Sequence, residues 1–97
     1  MSGSWEAERR LDFIDFRMLT ARCIRRTDIM RVFGVSMSQA SADLNRFLRA
    51  YPRWLLYDRS KKWYYPHAEY RTRRGINLKT LQALALLWES GHPMSWI

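Results

Sequence analysis

The stretch of residues 27–50 places a glycine between two amphipathic segments, and this feature constrains the fold more than any other part of the chain. Residues 27–33 predict a short helix with an apolar inner side. Gly34 follows where a residue in the left-handed conformation commonly ends a helix. Ser36 and Gln39 have the spacing of a capping box, so a second helix is expected to begin there. A short helix, a tight turn and a capped helix are typical of a helix-turn-helix.

Two further helices and a hairpin complete the predicted order. Apolar residues recur at the helical period over residues 5–23 and predict a first helix. Residues 54–65 contain two strand-forming runs on either side of a charged turn, and they predict a β-hairpin. Asn77 is a suitable N-cap for a last helix that reaches about residue 90, before a glycine and a proline.

This order predicts a mostly α fold with one β-hairpin, namely a winged helix-turn-helix with an additional C-terminal helix. The 97 residues are enough for one hydrophobic core and too few for a second, so we expect a single domain over residues 1–97. Within it the helix-turn-helix is expected at about 27–50, the wing at about 54–66 and a C-terminal dimerisation helix at about 77–90.

The basic residues are unevenly distributed along the chain. There are 17 Lys and Arg residues against nine Asp and Glu residues, and 14 of the 17 are arginines. Residues 46–79 contain ten of the basic residues and only two acidic ones. A concentrated positive field attracts polyanions, with nucleic acid as the main expectation and an anionic membrane as the alternative. Arginine favours nucleic acid because its planar guanidinium binds phosphate or guanine through two parallel hydrogen bonds.

Other functional classes lack the residues that they require. Cys23 is the single cysteine, so no internal disulfide is expected and a reducing cytoplasm fits. Cys23, His67 and His92 do not have the spacing of metal ligands. The sequence shows no Ser/His/Asp order, glycine-rich phosphate loop, signal peptide or membrane-length apolar run. We therefore expect a cytoplasmic protein that is not an enzyme, with no metal, no cofactor, no membrane partner and no evident small-molecule ligand.

The residues expected to contact DNA lie in three places. The second helix of the helix-turn-helix presents small polar side chains, which permit close approach to base edges in the major groove. Asn and Gln pair with adenine there, and arginines further along the same helix suit the phosphate backbone. Basic residues just before the first helix of the motif and at the hairpin tip suit phosphate as well. The predicted set is Arg25, Arg26, Ser36, Ser38, Gln39, Ser41, Ala42, Asn45, Arg46, Arg49, Arg59, Lys61 and Lys62.

Several positions have more than one interpretation. Gln39 is either the return arm of the capping box or a base contact. Met37 falls on the inner, core-facing side of the same helix by its position in the helical period. The aromatic residues 63–65 favour a core position over stacking on single-stranded bases. The arginine-rich residues 67–76 are either a solvated connection or a track along the DNA backbone.

Apolar surface without an obvious partner predicts a symmetric dimer. The last helix is apolar on every side, and a helix of that kind is usually buried on every side. Phe13 and Phe16 lie off the apolar stripe of the first helix and require a second partner. The alternative is that the last helix packs fully against the first helix and the hairpin, or against a domain outside these residues. The residues expected at the dimer interface are Phe13, Phe16, Leu81, Leu84, Leu87 and Trp88.

Three segments resemble a known family in their order along the chain. They are residues 10–17 (RLDFIDFR), residues 34–44 (GVSMSQASADL) and residues 57–62 (YDRSKK). Together they resemble the winged helix-turn-helix domain of WYL-domain transcriptional regulators found beside bacterial phage-defence systems. The resemblance implies a bacterial, nucleoid-associated, dimeric repressor whose third helix contacts an inverted repeat while the wing contacts the flanking backbone. These 97 residues end where the WYL ligand-sensing domain of that family would follow, so the resemblance leaves ligand control open and makes the last helix the candidate for dimerisation.

Two functions follow from these observations. The first is a sequence-specific transcriptional regulator, a repressor that binds duplex DNA as a homodimer. The alternative is a single-stranded nucleic-acid or protein-interaction module that uses the winged-helix fold as a scaffold. The small polar outer face of the third helix favours the first, because that face suits a duplex major groove.

Overall fold

The computed structural model describes residues 5–73 and 77–90 of the chain, with the side chains of residue 78 and residues 87–90 outside that description. Its elements are α1 (Trp5–Leu19), α2 (Arg26–Phe33), α3 (Met37–Ala50), β1 (Leu55–Asp58), β2 (Trp63–Pro66) and α4 (Leu78–Ser90). The predicted fold class, mostly α with one hairpin and a C-terminal helix, is confirmed. Over the described residues, none of these helices has the length and apolar composition that a membrane span requires.

α1 is the central element of the core, since α2, α3 and α4 all pack against it. Its Leu11, Ile14 and Met18 are buried, as the helical period predicts. Phe13 is also buried, with 3% of its surface exposed, and its ring packs edge to face against Phe33 of α2 at 5.5 Å. Because neighbours cover α1 on both sides, its second apolar face is used within one chain. Phe13 therefore offers no exposed surface to a second subunit, contrary to the prediction for this residue.

α1 ends earlier than the predicted residue 23. The Thr20 hydroxyl donates to a carbonyl of the last turn at 2.7 Å, and Arg22 takes a left-handed φ of 62° that a continuing helix does not allow. Cys23 consequently lies outside the helix and is half-buried. Ile24 forms a β-bridge with Tyr64 of β2 through 2.9 Å hydrogen bonds in both directions. The segment between α1 and α2 is thus attached to the hairpin.

The helix-turn-helix adopts the predicted geometry. Gly34 ends α2 with φ 65° and ψ 34°, and its amide donates to the Met30 carbonyl at 2.8 Å. A Cβ at this position would meet open space, so the backbone conformation alone favours glycine. On the other side of the turn, the Ser36 hydroxyl accepts a hydrogen bond from the Gln39 amide at 3.1 Å. The predicted N-cap of α3 is confirmed.

The wing is the antiparallel pair of β1 and β2, joined by a turn over residues 59–62. Tyr57 pairs with Tyr64 in the register, and their rings lie 4.7 Å apart. Leu55 is buried in the core, whereas the aromatic residues 63–65 are all half-buried. The base of the wing is therefore anchored by apolar packing, and its tip extends away from the core.

A buried ion-pair network connects the segment after the wing to α1. Asp12 and Asp15 have no exposed surface, and Arg73 is 3% exposed. One terminal nitrogen of Arg73 lies 2.7 Å from Asp12 Oδ1, and the other lies 2.6 Å from Glu8 Oε1. The Arg73 amide and the Tyr70 hydroxyl donate to the two oxygens of Asp15, at 3.2 and 2.6 Å. Arg73 is therefore neither solvated nor available to DNA, contrary to both sequence interpretations of this segment.

Burial dominates the titration of this network. It raises the pKa of Asp15 to about 6, and the hydrogen bonds from Tyr70 and Arg73 offset only part of that rise. Burial and the bond to Asp15 raise the pKa of the Tyr70 hydroxyl well above its ordinary value, so the hydroxyl remains a proton donor. Burial lowers the pKa of Arg73, but its bond to Asp12 and the charges of the nearby carboxylates produce a net rise. Removing one partner of a buried pair costs about 3–5 kcal/mol, because the remaining charge is left uncompensated.

Asp15→Asn should change how the stability of the domain depends on pH. The folded-state pKa of Asp15 is about 6 against an ordinary value of 3.8, so the folded state binds the proton more tightly. The contribution of this group to stability therefore falls as the pH rises through 6. From about pH 5 to about pH 7.5, the wild-type free energy of unfolding should fall by about 1 kcal/mol relative to that of the variant. Urea unfolding of both proteins measures the difference, and parallel pH profiles would contradict the raised pKa.

α4 begins at the predicted cap and packs one side against α1. The Asn77 side chain accepts a hydrogen bond from the Thr80 amide at 2.9 Å. Leu81 was predicted at a dimer face. It has no exposed surface and lies in the core of a single chain. Leu84 is half-buried against the same core. Packing within one chain therefore buries Leu81 and half-buries Leu84 without a second subunit.

Of the other residues predicted at the dimer interface, one is half-buried and two have side chains that the structure does not describe. Phe16 is half-buried beside Phe13, with ring centroids 6.5 Å apart. The side chains of Leu87 and Trp88 lie outside the described residues. Leu86, which was not in the predicted interface, is 71% exposed. α4 therefore keeps exposed leucine surface after it has packed against α1.

Candidate nucleic-acid interface

The outer side of α3 is a continuous exposed stripe. Ser38, Ala42, Asn45 and Arg49 are all exposed, and their spacings of three or four residues place them on one face of the helix. Ser41, beside them, is half-buried. These four residues, which we call the α3 stripe, are small, polar or basic, and none is acidic. Such a surface can approach base edges in a major groove closely.

The rotation of α3 is set by Asp43 on its buried side. Asp43 is 2% exposed. Its Oδ2 accepts a hydrogen bond from Arg10 Nε of α1 at 2.6 Å, and its Oδ1 accepts one from Gln39 Nε2 at 3.1 Å. Gln39 therefore does not complete the capping box, because its side chain is held one turn further along its own helix. Rotation of α3 would break the bond to α1, so Asp43 supports the rotation that the apolar side of α3 already favours by burying Ala40, Leu44 and Phe47, and the α3 stripe is left exposed.

Arg46 lies beside the α3 stripe but is paired with a carboxylate. Its guanidinium lies 2.8 Å from Glu8 Oε2 of α1, and the other Glu8 oxygen lies 2.6 Å from Arg73. The Arg46 side chain is 43% exposed, and ion pairs at such positions contribute only about 0–1 kcal/mol. A phosphate can therefore compete for Arg46. Glu8 opposes that contact by occupying the guanidinium and by its own negative charge.

Asp58 organises the tip of the wing. Its Oδ1 accepts hydrogen bonds from the amides of Ser60 at 2.9 Å and Lys61 at 3.0 Å. The bond from the Lys61 amide, together with those from Ser60, lowers the pKa of the Asp58 carboxyl. Lys62 closes the turn with a left-handed φ of 60°. Arg59, Lys61 and Lys62 are all exposed, so the ionised Asp58 holds a turn whose side chains present positive charge to solvent.

Arg25 connects the start of α2 to the wing tip. Its side-chain nitrogens donate to the Lys61 carbonyl at 3.3 and 3.2 Å, and its guanidinium lies 4.8 Å from the centre of the Trp63 ring. Its backbone amide donates to Asp28 Oδ2 at 2.8 Å at the first turn of α2. Arg25 thus positions the wing, while Arg26 is exposed beside it.

A groove of about 390 Å³ lies between the start of α2, the start of α3 and the wing, and we call it the wing-root groove. Its basic lining residues are Arg25, Arg26, Lys61 and Lys62. Its apolar and aromatic lining residues are Met30, Met37, Tyr57 and Tyr64. Met37 was predicted in the core but is 56% exposed, because the first turn of α3 extends past the core and into this groove. Sequence reasoning missed the groove because its walls are far apart along the chain.

Internal pairing reduces the positive charge that the domain presents outward. Arg73 is buried against Asp12 and Glu8, and Arg46 also pairs with Glu8, at 2.8 Å. Both carboxylates lie outside residues 46–79. The charge count over residues 46–79 therefore overstates the surface field. Carboxylates interspersed among the apolar residues of the first helix were the signal that could have indicated buried pairs. Within the described part of the chain, no group of His, Cys, Asp and Glu side chains is arranged to hold a metal ion.

The helix-turn-helix, its exposed third helix and the charged hairpin define a winged helix-turn-helix domain. Comparison with protein families agrees: residues 6–88 match the model of the BrxR transcriptional regulator winged helix-turn-helix domain. The chain therefore belongs to this family. The predicted resemblance to the winged-helix domain of bacterial transcriptional regulators is confirmed.

Individual relatives share the same region. The chain is 42% identical over 60 residues to the DNA-binding transcriptional repressor CapW of Escherichia coli (strain KTE188), a match that covers 62% of this chain and 20% of that protein. It is 35% identical over 85 residues to CapW of Stenotrophomonas maltophilia, covering 86% of this chain and 28% of the relative. For CapW of Pseudomonas aeruginosa the identity is 37% over 60 residues, again covering 62% and 20%. The matched region is thus between a fifth and about a quarter of these relatives.

Glu8→Gln should strengthen binding to duplex DNA, because it removes the carboxylate that pairs with Arg46. We expect the affinity to rise several-fold at low salt. The slope of log affinity against log salt concentration should become steeper by up to about one, the change that one additional phosphate contact produces. Fluorescence anisotropy with a labelled duplex across a salt series measures both.

Glu69→Gln is the matched control, since it removes the same charge from the exposed Arg53 pair, away from α3. Equal effects of the two variants would mean that only net charge matters and that Arg46 makes no phosphate contact. Because Glu8 also pairs with buried Arg73, Glu8→Gln should be less stable than Glu69→Gln, and binding is compared at a temperature at which circular dichroism shows that both variants are folded.

Proposed function

We propose that this domain is the DNA-binding part of a transcriptional repressor that recognises a specific duplex sequence. The observation that carries the proposal is the α3 stripe, a small and polar helix face next to a cationic wing. The relatives are named DNA-binding transcriptional repressors, which supports the same conclusion. The matched region is only a part of these relatives, so the proposal concerns DNA binding and no other activity of a whole regulator.

In this proposal α3 enters the major groove and the wing lies along the flanking backbone. Asn45 is the base-specific contact, since its amide can pair with an adenine edge, while Ser38 and Ala42 permit close approach. Arg49 and the cations of the wing tip bind phosphates and position the helix. The chemistry is binding alone: the domain acts by occupying its site, without an enzymatic step or a cofactor. A cytoplasmic, nucleoid-associated location and a role beside phage-defence genes are part of the same proposal.

Selection of bound duplexes from a random pool should return one preferred motif. Asn45→Ala should cost roughly 1–3 kcal/mol on that motif and relax one base position, because the adenine loses its partner. Arg59→Ala is the control, and it should weaken all sequences about equally. An unchanged motif with Asn45→Ala would show that the α3 stripe is not the specificity surface.

The alternative function, binding to single-stranded nucleic acid, draws on the aromatic side chains of the wing. The aromatic residues 63–65 of β2 are half-buried, which limits the ring faces available for stacking. Competition between a duplex and its separate strands of equal length distinguishes the two functions. Preference for the single strands would favour the alternative.

We further propose that the domain binds DNA as a two-fold dimer on an inverted repeat. Leu86 is 71% exposed on α4, and Trp5 is 66% exposed at the start of α1, so apolar surface is present on two helices that pack together. A two-fold arrangement would present two copies of α3 to two half-sites about one helical turn apart, or a multiple of it.

Light scattering at tens of micromolar should give about twice the 11.7 kDa mass of one chain. Leu86→Asp should shift the mass toward the monomer and weaken duplex binding, because a charge at an apolar interface is unfavourable. Thr80→Asp places the same charge on an exposed polar position of α4 that lies about 120° around the helix from Leu86, and it should have little effect. A monomeric wild-type protein would contradict this part of the proposal.

A further inference from the structure

The first residue of α3 carries an apolar side chain toward solvent at the edge of the proposed DNA surface. Met37 is 56% exposed and precedes Ser38, the first residue of the α3 stripe. Burial in the core therefore does not account for a long apolar side chain at this position. Its surroundings, the wing-root groove, show what it can contact.

The wing-root groove combines positive charge with an apolar floor. Its four cations come from the start of α2 and from the wing tip, and none of its described lining residues is acidic. Met37 and Tyr57, which is 47% exposed, line it together with Met30 and Tyr64. A small inorganic anion would use only the cations. A ligand that uses both parts of the lining must be anionic and also carry apolar groups.

A DNA strand has this combination, because its phosphates alternate with sugars and bases. Along the major-groove edge of the bases, the only apolar group is the C5 methyl of thymine. Met37, which lines the groove, adjoins Ser38 of the α3 stripe, so a strand whose bases face α3 would bring its backbone toward the wing. Methionine is flexible and polarizable, which suits contact with a single methyl group.

We propose that one strand of the duplex lies in the wing-root groove, with its phosphates against the cations and a thymine methyl against Met37. This proposal rests on the duplex-binding function above and adds a determinant of specificity to it. The domain should therefore require thymine at one position of each half-site, next to the bases contacted by Ser38. Uracil pairs as thymine does but lacks the methyl, so it is the ligand that isolates this contact.

The test uses the 97-residue chain and two random duplex pools, one made with thymine and one with uracil. Wild type should select thymine at one position of the half-site, and uracil there should weaken binding about fourfold, the factor that burial of one methyl-sized group provides. With Met37→Ala the same uracil substitution should have no effect, while the rest of the motif is retained. Met37→Leu should restore much of the methyl dependence.

Leu56→Ala is the matched control, since Leu56 is an exposed apolar residue of the wing that does not line the groove. It should leave the uracil effect unchanged. Arg26→Gln tests the contact between the groove and the phosphates. It should reduce the slope of log affinity against log salt concentration by about one. Circular dichroism and thermal unfolding show whether each variant is folded. Met37 and Leu56 are both exposed, so we expect their replacement to leave the fold intact.

Each outcome bears on the proposal. An equal uracil effect in wild type and Met37→Ala, or no uracil-sensitive position in a clear motif, would overturn it and leave the duplex-binding function intact. An unchanged salt slope with Arg26→Gln would show that the strand does not follow the groove. Absence of any motif in both pools would overturn the sequence-specific function itself, and the Met37 contact with it.

Discussion

The fold depends above all on Arg73, whose guanidinium lies inside the domain among carboxylates of α1. Its guanidinium binds Asp12 and Glu8, and its backbone amide donates a hydrogen bond to Asp15. These contacts attach the segment after the wing to the central helix. A buried charge is tolerated only when it is paired and fully hydrogen-bonded, and loss of one partner costs several kcal/mol. The path of the chain from β2 to Arg73 is therefore closely specified. Tyr70 reinforces it through Asp15.

Pairs of the same kind, between a carboxylate and a guanidinium, also orient the two helices of the helix-turn-helix. Asp43 of α3 binds Arg10 of α1, and Asp28 of α2 pairs with Arg17 of α1 at 3.4 Å. Apolar packing brings these helices together, but it tolerates small rotations because it has no direction. A carboxylate–guanidinium bond is directional, so it selects one rotation. The α3 stripe is exposed as a consequence of contacts made on the opposite side of α3.

The arginines of this domain consequently divide into two groups with different roles. Those that face α1 hold the helices together, and those near the wing and the outer side of α3 give the domain its attraction for polyanions. Glu8 lies at the boundary, because one of its oxygens binds buried Arg73 and the other binds exposed Arg46. A charge that stabilises the fold therefore also moderates the DNA surface. Net charge alone would not have shown this division.

What the sequence determined was local. The left-handed Gly34, the Ser36 cap and the Asn77 cap depend on residues at most a few positions away, so the order of helices and hairpin followed from them. The α3 stripe also followed, since the helical period identifies opposite faces. The period cannot say how many neighbours a helix has, and so the burial of Phe13 and Leu81 and the exposure of Met37 were decided by packing. Arg73 and Asp12 are 61 residues apart in the chain, and only the tertiary structure brings these opposite charges into one interior where each requires the other.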